Sequence, residues 1–130
     1  MRGRLWAVLA LFAFGFALLP ALPAAAGFGA IAWDRESGKA GWVWNQPTAK
    51  DAAAKALSEC GASGCQLVIK PTIACAALAA TANGKYIGAA ARKTVAEARL
   101  AALADCKKGN AGECVVRASA CNNPVPGQVR

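Results

Sequence analysis

The stretch TAKDAAAKALSEC, residues 48–60, has a close counterpart in TVAEARLAALADC, residues 94–106. Each stretch opens with threonine, carries an acidic residue three positions later, and closes on a cysteine twelve positions after the threonine. A threonine followed by a carboxylate at this spacing is typical of a helix start, where both side chains satisfy backbone N–H groups that lack a partner in the first turn. Alanine and leucine then recur at helical spacing. The two stretches therefore predict two helices that each end on a cysteine.

A β-hairpin is expected before each helix and a single strand after it. The first hairpin turn is the polar run RESG at residues 35–38, and the second contains Asn83-Gly84, a strong hairpin signal. Pro47 ends the strand before the first helix. The expected strands are residues 29–34, 39–45, 66–69, 75–80, 85–91 and 113–119.

The two halves of the chain repeat one another at a constant offset. Four residues recur 46 positions later, namely Gly38, Thr48, Cys60 and Cys75 as Gly84, Thr94, Cys106 and Cys121. Cys65 and Cys114 are 49 apart because the second half has a longer loop at residues 107–112. We therefore predict an internal duplication of a ββαβ unit, with units at about residues 27–75 and 76–121. Since neither unit alone buries both faces of its elements, we expect an α+β fold with one mixed or antiparallel sheet covered by two helices.

The N-terminal segment has the features of a secretory signal peptide. Arg2 and Arg4 precede an apolar run at residues 5–19, and small residues at 24–26 suit signal peptidase. The apolar run is shorter than the roughly 20 residues that a membrane-spanning helix needs. We expect residues 1–26 to be removed after export through the general secretory route, to the periplasm or the cell exterior. A single domain at residues 27–122, without a membrane anchor, and a disordered tail at residues 123–130 are expected to follow.

All six cysteines lie in the expected mature domain, and an even number in an exported chain predicts a disulfide framework. The chain contains no histidine and no Cys-x-x-Cys motif, which argues against a zinc site, and no metal or cofactor is expected. Six cysteines allow fifteen pairings. If the units are related by a pseudo-twofold axis, the simplest pairing closes each helix onto the strand after it and joins the units through a third bridge. These pairs are Cys60–Cys65, Cys106–Cys114 and Cys75–Cys121.

Several motifs resemble a bacterial exported family, the domain of unknown function numbered 4189. They are the segment GAIA at residues 29–32, the strand GWVW at residues 41–44, the Pro-Thr-x-x-x-Ala start of the first helix, and a cysteine after each helix. The resemblance covers residues 27–121. It implies an exported bacterial module and carries no activity. Members typically have aromatic strands in both copies, whereas here the second copy has GAA at residues 88–90 where the first has Trp42-Val43-Trp44.

A tryptophan cluster on the first hairpin is one candidate binding surface. With a four-residue turn at 35–38, Trp33, Trp42 and Trp44 share one face of the hairpin, because side chains alternate along a strand. The opposite face carries small residues, which a helix can approach closely. The cluster is either an exposed aromatic platform for a glycan, peptide or protein, or the apolar core itself.

A basic surface on the second half is the other candidate. Residues 27–75 carry five Lys or Arg against four Asp or Glu, a net charge of +1, whereas residues 76–130 carry eight against three, a net charge of +5. The basic residues that we expect to form this face are Arg92, Lys93, Arg99, Lys107, Lys108 and Arg117. Such a face fits an anionic envelope polymer, lipid headgroups or an acidic protein, or serves only as a solubilising surface. No nucleic-acid recognition motif is present, so nucleic acid is not an expected partner.

Catalysis is not expected from these residues. Without histidine a Ser–His or Cys–His nucleophile is impossible. Asp34 and Glu36 flank a hairpin turn, which is a poor place for the buried acid that hydrolysis needs. We therefore predict a small exported protein that acts by binding an unknown protein or an anionic envelope polymer. The alternatives are a secreted effector or hydrolase with an unrecognised site, and a purely structural envelope component.

Overall fold

The computed structural model describes Gly15, residues 27–109 and residues 112–122. Apart from Gly15, the expected signal peptide at residues 1–26 lies outside the described residues, and so does the expected tail at 123–130.

The order strand, strand, helix, strand occurs twice along the chain, as the repeated motifs predict. The first four elements are β1 (Phe28–Trp33), β2 (Ala40–Gln46), α1 (Ala49–Cys60) and β3 (Gln66–Thr72). The second four are β4 (Cys75–Ala80), β5 (Ile87–Arg92), α2 (Val95–Lys108) and β6 (Val115–Cys121). The predicted helices and strands are therefore present, with small shifts at their ends.

The strands form two antiparallel three-stranded sheets, so the predicted single sheet is wrong. The strand orders are β2-β1-β3 and β5-β4-β6. The reason is that the central strands are apolar on both faces. In β1, Ala30 and Ala32 pack against α1, whereas Ile31 packs against the other sheet. In the same way Ala77 of β4 packs against α2 and Leu78 packs against the first sheet. The molecule therefore has four layers in the order helix, sheet, sheet, helix.

Each helix starts at the predicted threonine and packs a stripe of small residues against its sheet. The hydroxyl of Thr48 accepts a hydrogen bond from the backbone N–H of Asp51 at 3.1 Å, and that of Thr94 from Glu97 at 3.2 Å. The strand beneath each helix has a glycine at the point of closest approach. A Cβ atom added to Gly41 would lie 2.2 Å from the backbone nitrogen of Cys60. The helices therefore lie directly on strand backbone, at a distance that only glycine permits.

Three disulfides join Cys60 to Cys65, Cys106 to Cys114 and Cys75 to Cys121, which are the pairs expected from the sequence. The expected role of the third is wrong, because Cys75 and Cys121 are register partners on β4 and β6 within one sheet. Since β4 begins at Cys75, this residue belongs to the second unit and not to the first, and the bridge staples two strands of one unit. Three disulfides are typical of a protein that matures in an oxidising environment outside the cytoplasm.

The two hairpin turns meet each other and hold the two sheets together at one end. Gly38 and Gly84 both have positive φ, 74° and 70°, and a Cβ atom on Gly38 would lie 2.3 Å from the backbone oxygen of Asn83. The indole N–H of Trp33 donates to the backbone oxygen of Gly84 at 2.7 Å. Lys85 also donates from Nζ to the backbone oxygen of Glu36. The turns are therefore a backbone-to-backbone contact between the sheets.

Asn122 connects the sheets at their other end. Its side chain is 1% exposed, and its Nδ2 donates to the backbone oxygens of Thr72 at 3.1 Å and Ala74 at 2.8 Å. Its Oδ1 accepts from the backbone N–H of Asn45 at 3.0 Å. One side chain thus links the end of β2, the β3–β4 connection and the end of β6.

None of the helices in the described residues is both long and apolar enough to cross a membrane.

Candidate functional site

The three tryptophans of the first hairpin share one face of the sheet, as the strand alternation predicts, and that face is turned toward the second sheet. Trp33 is half-buried beside the second hairpin turn, and Trp44 packs at the margin of the apolar cluster between the sheets. Trp42 is 38% exposed. The indoles therefore extend from the apolar core to an open edge of the sheet.

Residues 88–90 correspond to residues 41–43 and not to 42–44, because the strands of the two hairpins align at an offset of 47. Ile31 faces Trp42 across the first hairpin, and Leu78 faces Ala89 across the second. Trp42 therefore corresponds to Ala89, and by the same offset Trp44 corresponds to Ala91. The strand β2 has an extra residue near Asn45, whose φ is 56°, at an irregularity of the β1–β2 register. Because the first unit has this one extra residue, the helices that follow are again offset by 46. The helix motifs in the sequence therefore did not reveal that the strands before them are offset by 47.

Val68 and Arg117 are a second pair of corresponding residues, and their side chains differ more in chemical character than those of the first pair. The β1–β3 pairing skips Val68, and the β4–β6 pairing skips Arg117, so both residues sit at an irregularity of the ladder. These positions are 49 apart, the same offset as Cys65 and Cys114. Val68 belongs to the apolar cluster between the sheets, whereas Arg117 is exposed. A bulge re-aims the side chain that it carries. The second unit therefore presents a guanidinium where the first has a core residue.

The side chain of Arg117 forms one wall of a recess between the sheets. This recess has a volume of about 160 Å³, and its opposite wall is formed by Trp33 and Trp42. Its floor is apolar and includes Leu78 and Ile87. An indole and a guanidinium thus face each other across a space the size of one large side chain.

A second recess of about 260 Å³ lies further along the same strands. Trp44 and Asn45 of β2 line one side, and Arg99 of α2 with Ser119 of β6 line the other. A shallower surface depression is lined by Arg99, Arg117 and Ser119, and so shares residues with both recesses. We call the two recesses and this depression together the Trp–Arg groove, with Trp33, Trp42 and Trp44 on one wall and Arg99, Arg117 and Ser119 on the other.

Both guanidiniums of the groove are held in place by neutral acceptors. One terminal nitrogen of Arg117 donates to the backbone oxygens of Thr81 at 2.9 Å and Ala82 at 3.1 Å. Nε of Arg99 donates to the hydroxyl of Ser119 at 2.7 Å. Within the described residues neither guanidinium forms an ion pair, and each has further N–H donors. Among the residues that the structure describes, both charges are therefore oriented without being neutralised, which is the arrangement that suits a carboxylate or phosphate.

The predicted basic face is divided in the structure. Arg99 and Arg117 join the tryptophans, whereas Arg92 and Lys93 precede α2 and Lys107 and Lys108 end it. A helix of 14 residues spans about 21 Å, so these two pairs lie at opposite ends of α2. None of the four lines the groove. The sequence identified Arg99 and Arg117 only as members of a charged run. A comparison of the halves at the cysteine offset of 49 would have singled out Arg117 against Val68.

The carboxyl of Asp34 is fully engaged in the first hairpin turn. It accepts from the hydroxyl of Ser37 at 2.6 Å and from the backbone N–H groups of Glu36 and Ser37 at 3.1 and 3.4 Å. The Ser37 hydrogen bond, aided by those from the backbone and partly opposed by burial, lowers the pKa of Asp34 below its ordinary value of 3.8. An ionised, bonded carboxylate stabilises a turn and cannot act as a general acid. Within the described residues no cluster of three or more His, Cys, Asp or Glu side chains is placed to hold a metal ion.

Residues 28–121, more than half of the chain, match a family model described as Domain of unknown function (DUF4189). No curated protein and no solved structure matches the chain significantly.

Proposed function

We propose that this chain, which belongs to the family Domain of unknown function (DUF4189), is an exported binding protein that holds a carboxylate-bearing partner in the Trp–Arg groove. The partner is a protein or an anionic envelope polymer, in the periplasm or outside the cell. The three disulfides and the secretory N-terminal pattern support this location. The duplicated motifs further support an origin of the two ββαβ units by duplication, with the groove as the place where they diverged.

The observation that carries the proposal is the pairing of an indole with an oriented guanidinium in each recess. Trp42 faces Arg117, and Trp44 faces Arg99. A hydrogen bond to a charged group contributes about 1.5–3 kcal/mol, and indoles supply a large apolar contact area beside it. The recesses are open at the surface, so a partner can reach both groups without a rearrangement of the fold.

A hydrolytic function finds less support in the same residues. Of the paired acids considered above, Asp34 is bonded to its own turn and Glu36 is exposed. Neither lines the Trp–Arg groove. A purely structural role would not require guanidiniums that no described carboxylate neutralises beside the exposed indole of Trp42, since both are costly to order without a ligand.

Binding of an anionic polymer to the oxidised protein tests the proposal. The full chain is exported by its host, purified with its disulfides intact, and titrated with poly-L-glutamate or with polygalacturonate while tryptophan fluorescence is recorded. We expect binding of at least one polymer, weakened by added salt because the contact is electrostatic. The double variant Arg99→Gln/Arg117→Gln should bind about tenfold or more weakly.

The matched control removes two positive charges elsewhere on the molecule. Lys107→Gln/Lys108→Gln has the same net charge as the groove variant, but it changes residues at the far end of α2. Its affinity should stay within about twofold of the unaltered protein. Equal losses in the two variants would mean that net charge and not the groove attracts the polymer. Absence of binding to both polymers would overturn the proposal.

A further inference from the structure

The tryptophan wall of the Trp–Arg groove repeats with the period of a β-strand. Trp42 and Trp44 are two residues apart on β2. Residues two apart on a strand lie on the same face about 6.8 Å from each other. Each tryptophan lines a different recess, Trp42 together with Arg117 and Trp44 together with Arg99. The groove therefore has two successive binding positions at strand spacing.

The outer edge of β2 adjoins the groove and faces no strand of the described chain. β2 is the first strand in the order β2-β1-β3, so β1 lies on only one side of it. The backbone N–H of Asp34 donates to the oxygen of Lys39 at 2.8 Å, so these two residues form a hydrogen-bonded pair of the antiparallel ladder. Because hydrogen-bonded and non-hydrogen-bonded pairs alternate, the backbone groups of Ala40 and Trp42 point away from β1. An edge of this kind can pair with an added strand.

From these two observations we infer that the groove takes an extended segment of a partner protein, which pairs with the free edge of β2. The segment presents two acidic side chains separated by one residue. Each carboxylate reaches one guanidinium, Arg117 in the first recess and Arg99 in the second, while its methylene stem lies against the facing indole. The inference rests on the proposed function and narrows the partner to a polypeptide with an acid-x-acid motif.

Charge and strand spacing both favour such a segment over the other occupants. Residues 123–130, which follow the groove in sequence, contain no Asp or Glu and so do not match its guanidiniums. The chain has its own acid-x-acid run at Asp34-Arg35-Glu36, but the carboxyl of Asp34 is bonded to Ser37 within the turn. A second copy of the chain therefore does not offer the motif. A polysaccharide could not form a β-ladder with the backbone groups on the edge of β2.

Short fluorescent peptides test the inference by anisotropy. One peptide carries two glutamates separated by a valine, its isomer carries the same residues with the glutamates adjacent, and a third has glutamine in place of glutamate. On a paired strand adjacent glutamates point to opposite faces, so only one can enter the groove. We expect the separated peptide to bind about tenfold more tightly than its isomer, and the glutamine peptide to show no binding.

Two further comparisons separate edge pairing from simple charge attraction. N-methylation removes a backbone donor without altering charge, and only alternate residues of an added strand donate to β2. Binding should therefore weaken about tenfold on N-methylation of either a glutamate or the residue between the glutamates, depending on the strand direction, and change little at the other position. In the Arg99→Gln/Arg117→Gln protein the preference between the two isomers should disappear, whereas Lys107→Gln/Lys108→Gln should retain it. Far-UV circular dichroism verifies that both variants are folded.

Equal affinity for the two glutamate isomers, or no effect of N-methylation at either position, would overturn the inference. Binding of polygalacturonate in the groove without binding of any peptide would also overturn it, while leaving the proposed function intact. Concentration-dependent self-association that is abolished by Arg99→Gln/Arg117→Gln would instead identify a second copy as the occupant and refute the assignment to a partner protein.

Discussion

Asn122 is the residue on which the junction of the two sheets depends most. It is buried, and its amide satisfies two carbonyl groups of the β3–β4 connection and one N–H group at the end of β2. The same amide lies against Gly29, where an added Cβ atom would come within 2.6 Å of Oδ1. No sequence pattern marked Asn122, because an asparagine after the last strand is ordinarily a solvent-exposed turn residue. Its importance follows from tertiary contacts alone.

We predict that Asn122→Ala lowers the free energy of unfolding by about 2–4 kcal/mol, because it leaves buried backbone groups without partners. Urea unfolding of the oxidised protein measures the change. Ser58→Ala, an exposed substitution on α1, should alter stability by no more than about 0.5 kcal/mol. A similar small effect for Asn122→Ala would show that the sheets do not depend on this amide.

Asp34 makes the stability of the protein depend on pH. Its pKa in the folded state is lower than in the unfolded chain, so the carboxylate contributes stability above its ordinary value of 3.8. That contribution is lost as the pH falls through the lower folded-state pKa. We predict that Ser37→Ala, which removes the largest cause of the shift, destabilises the protein near neutral pH and has a smaller effect near pH ~2. Urea unfolding at the two pH values tests this, and an equal effect at both would contradict it.

At the scale of elements, the three disulfides close loops of very different length. Cys60–Cys65 spans a sequence separation of 5, whereas Cys75–Cys121 spans 46. By chain entropy the short loop contributes about 2 kcal/mol and the long loop about 4 kcal/mol. Cys75–Cys121 is also the only one of the three that pairs two neighbouring strands directly. We expect this bridge to contribute most to stability.

The prediction is that Cys75→Ala/Cys121→Ala lowers the urea midpoint about twice as much as Cys60→Ala/Cys65→Ala. Both variants delete one bridge and leave no free thiol, so each serves as the control for the other. A larger loss in the Cys60–Cys65 variant would indicate that the tight turn after α1, and not the closure of the long loop, carries the disulfide stabilisation.

The sequence predicted the elements well because their signals are local. Thr48 with Asp51 marks a helix start, and Asn83-Gly84 marks a turn, without reference to the rest of the chain. The arrangement of the sheets was not predictable in this way. Ile31 and Leu78 are flanked by alanines, and an alanine-rich strand does not reveal which of its faces meets a helix and which meets a sheet. The bulge at Arg117 was also hidden, because it changes the register of a pairing and leaves no mark in composition.

At the scale of the whole molecule, the two sides of the sandwich differ. On the side where β3 packs near β5, Val68, Ile69 and Ile87 belong to the apolar cluster between the sheets. On the side of β2 and β6, tryptophans face arginines across the Trp–Arg groove. The excess positive charge of the second half is thus placed beside the aromatic strand of the first. The candidate site could be predicted only in part, since each half supplied residues whose proximity depends on how the sheets pack.

The substitution Arg117→Val tests the central claim most directly, because it gives β6 the residue that β3 has at the corresponding position. The measurement is the affinity for poly-L-glutamate and polygalacturonate, recorded by tryptophan fluorescence alongside urea unfolding. The account predicts a fold stability within about 1 kcal/mol of the unaltered protein and an affinity reduced at least about tenfold for the polymer that binds. An unchanged affinity in a stably folded Arg117→Val protein would contradict the assignment of the Trp–Arg groove as the binding site.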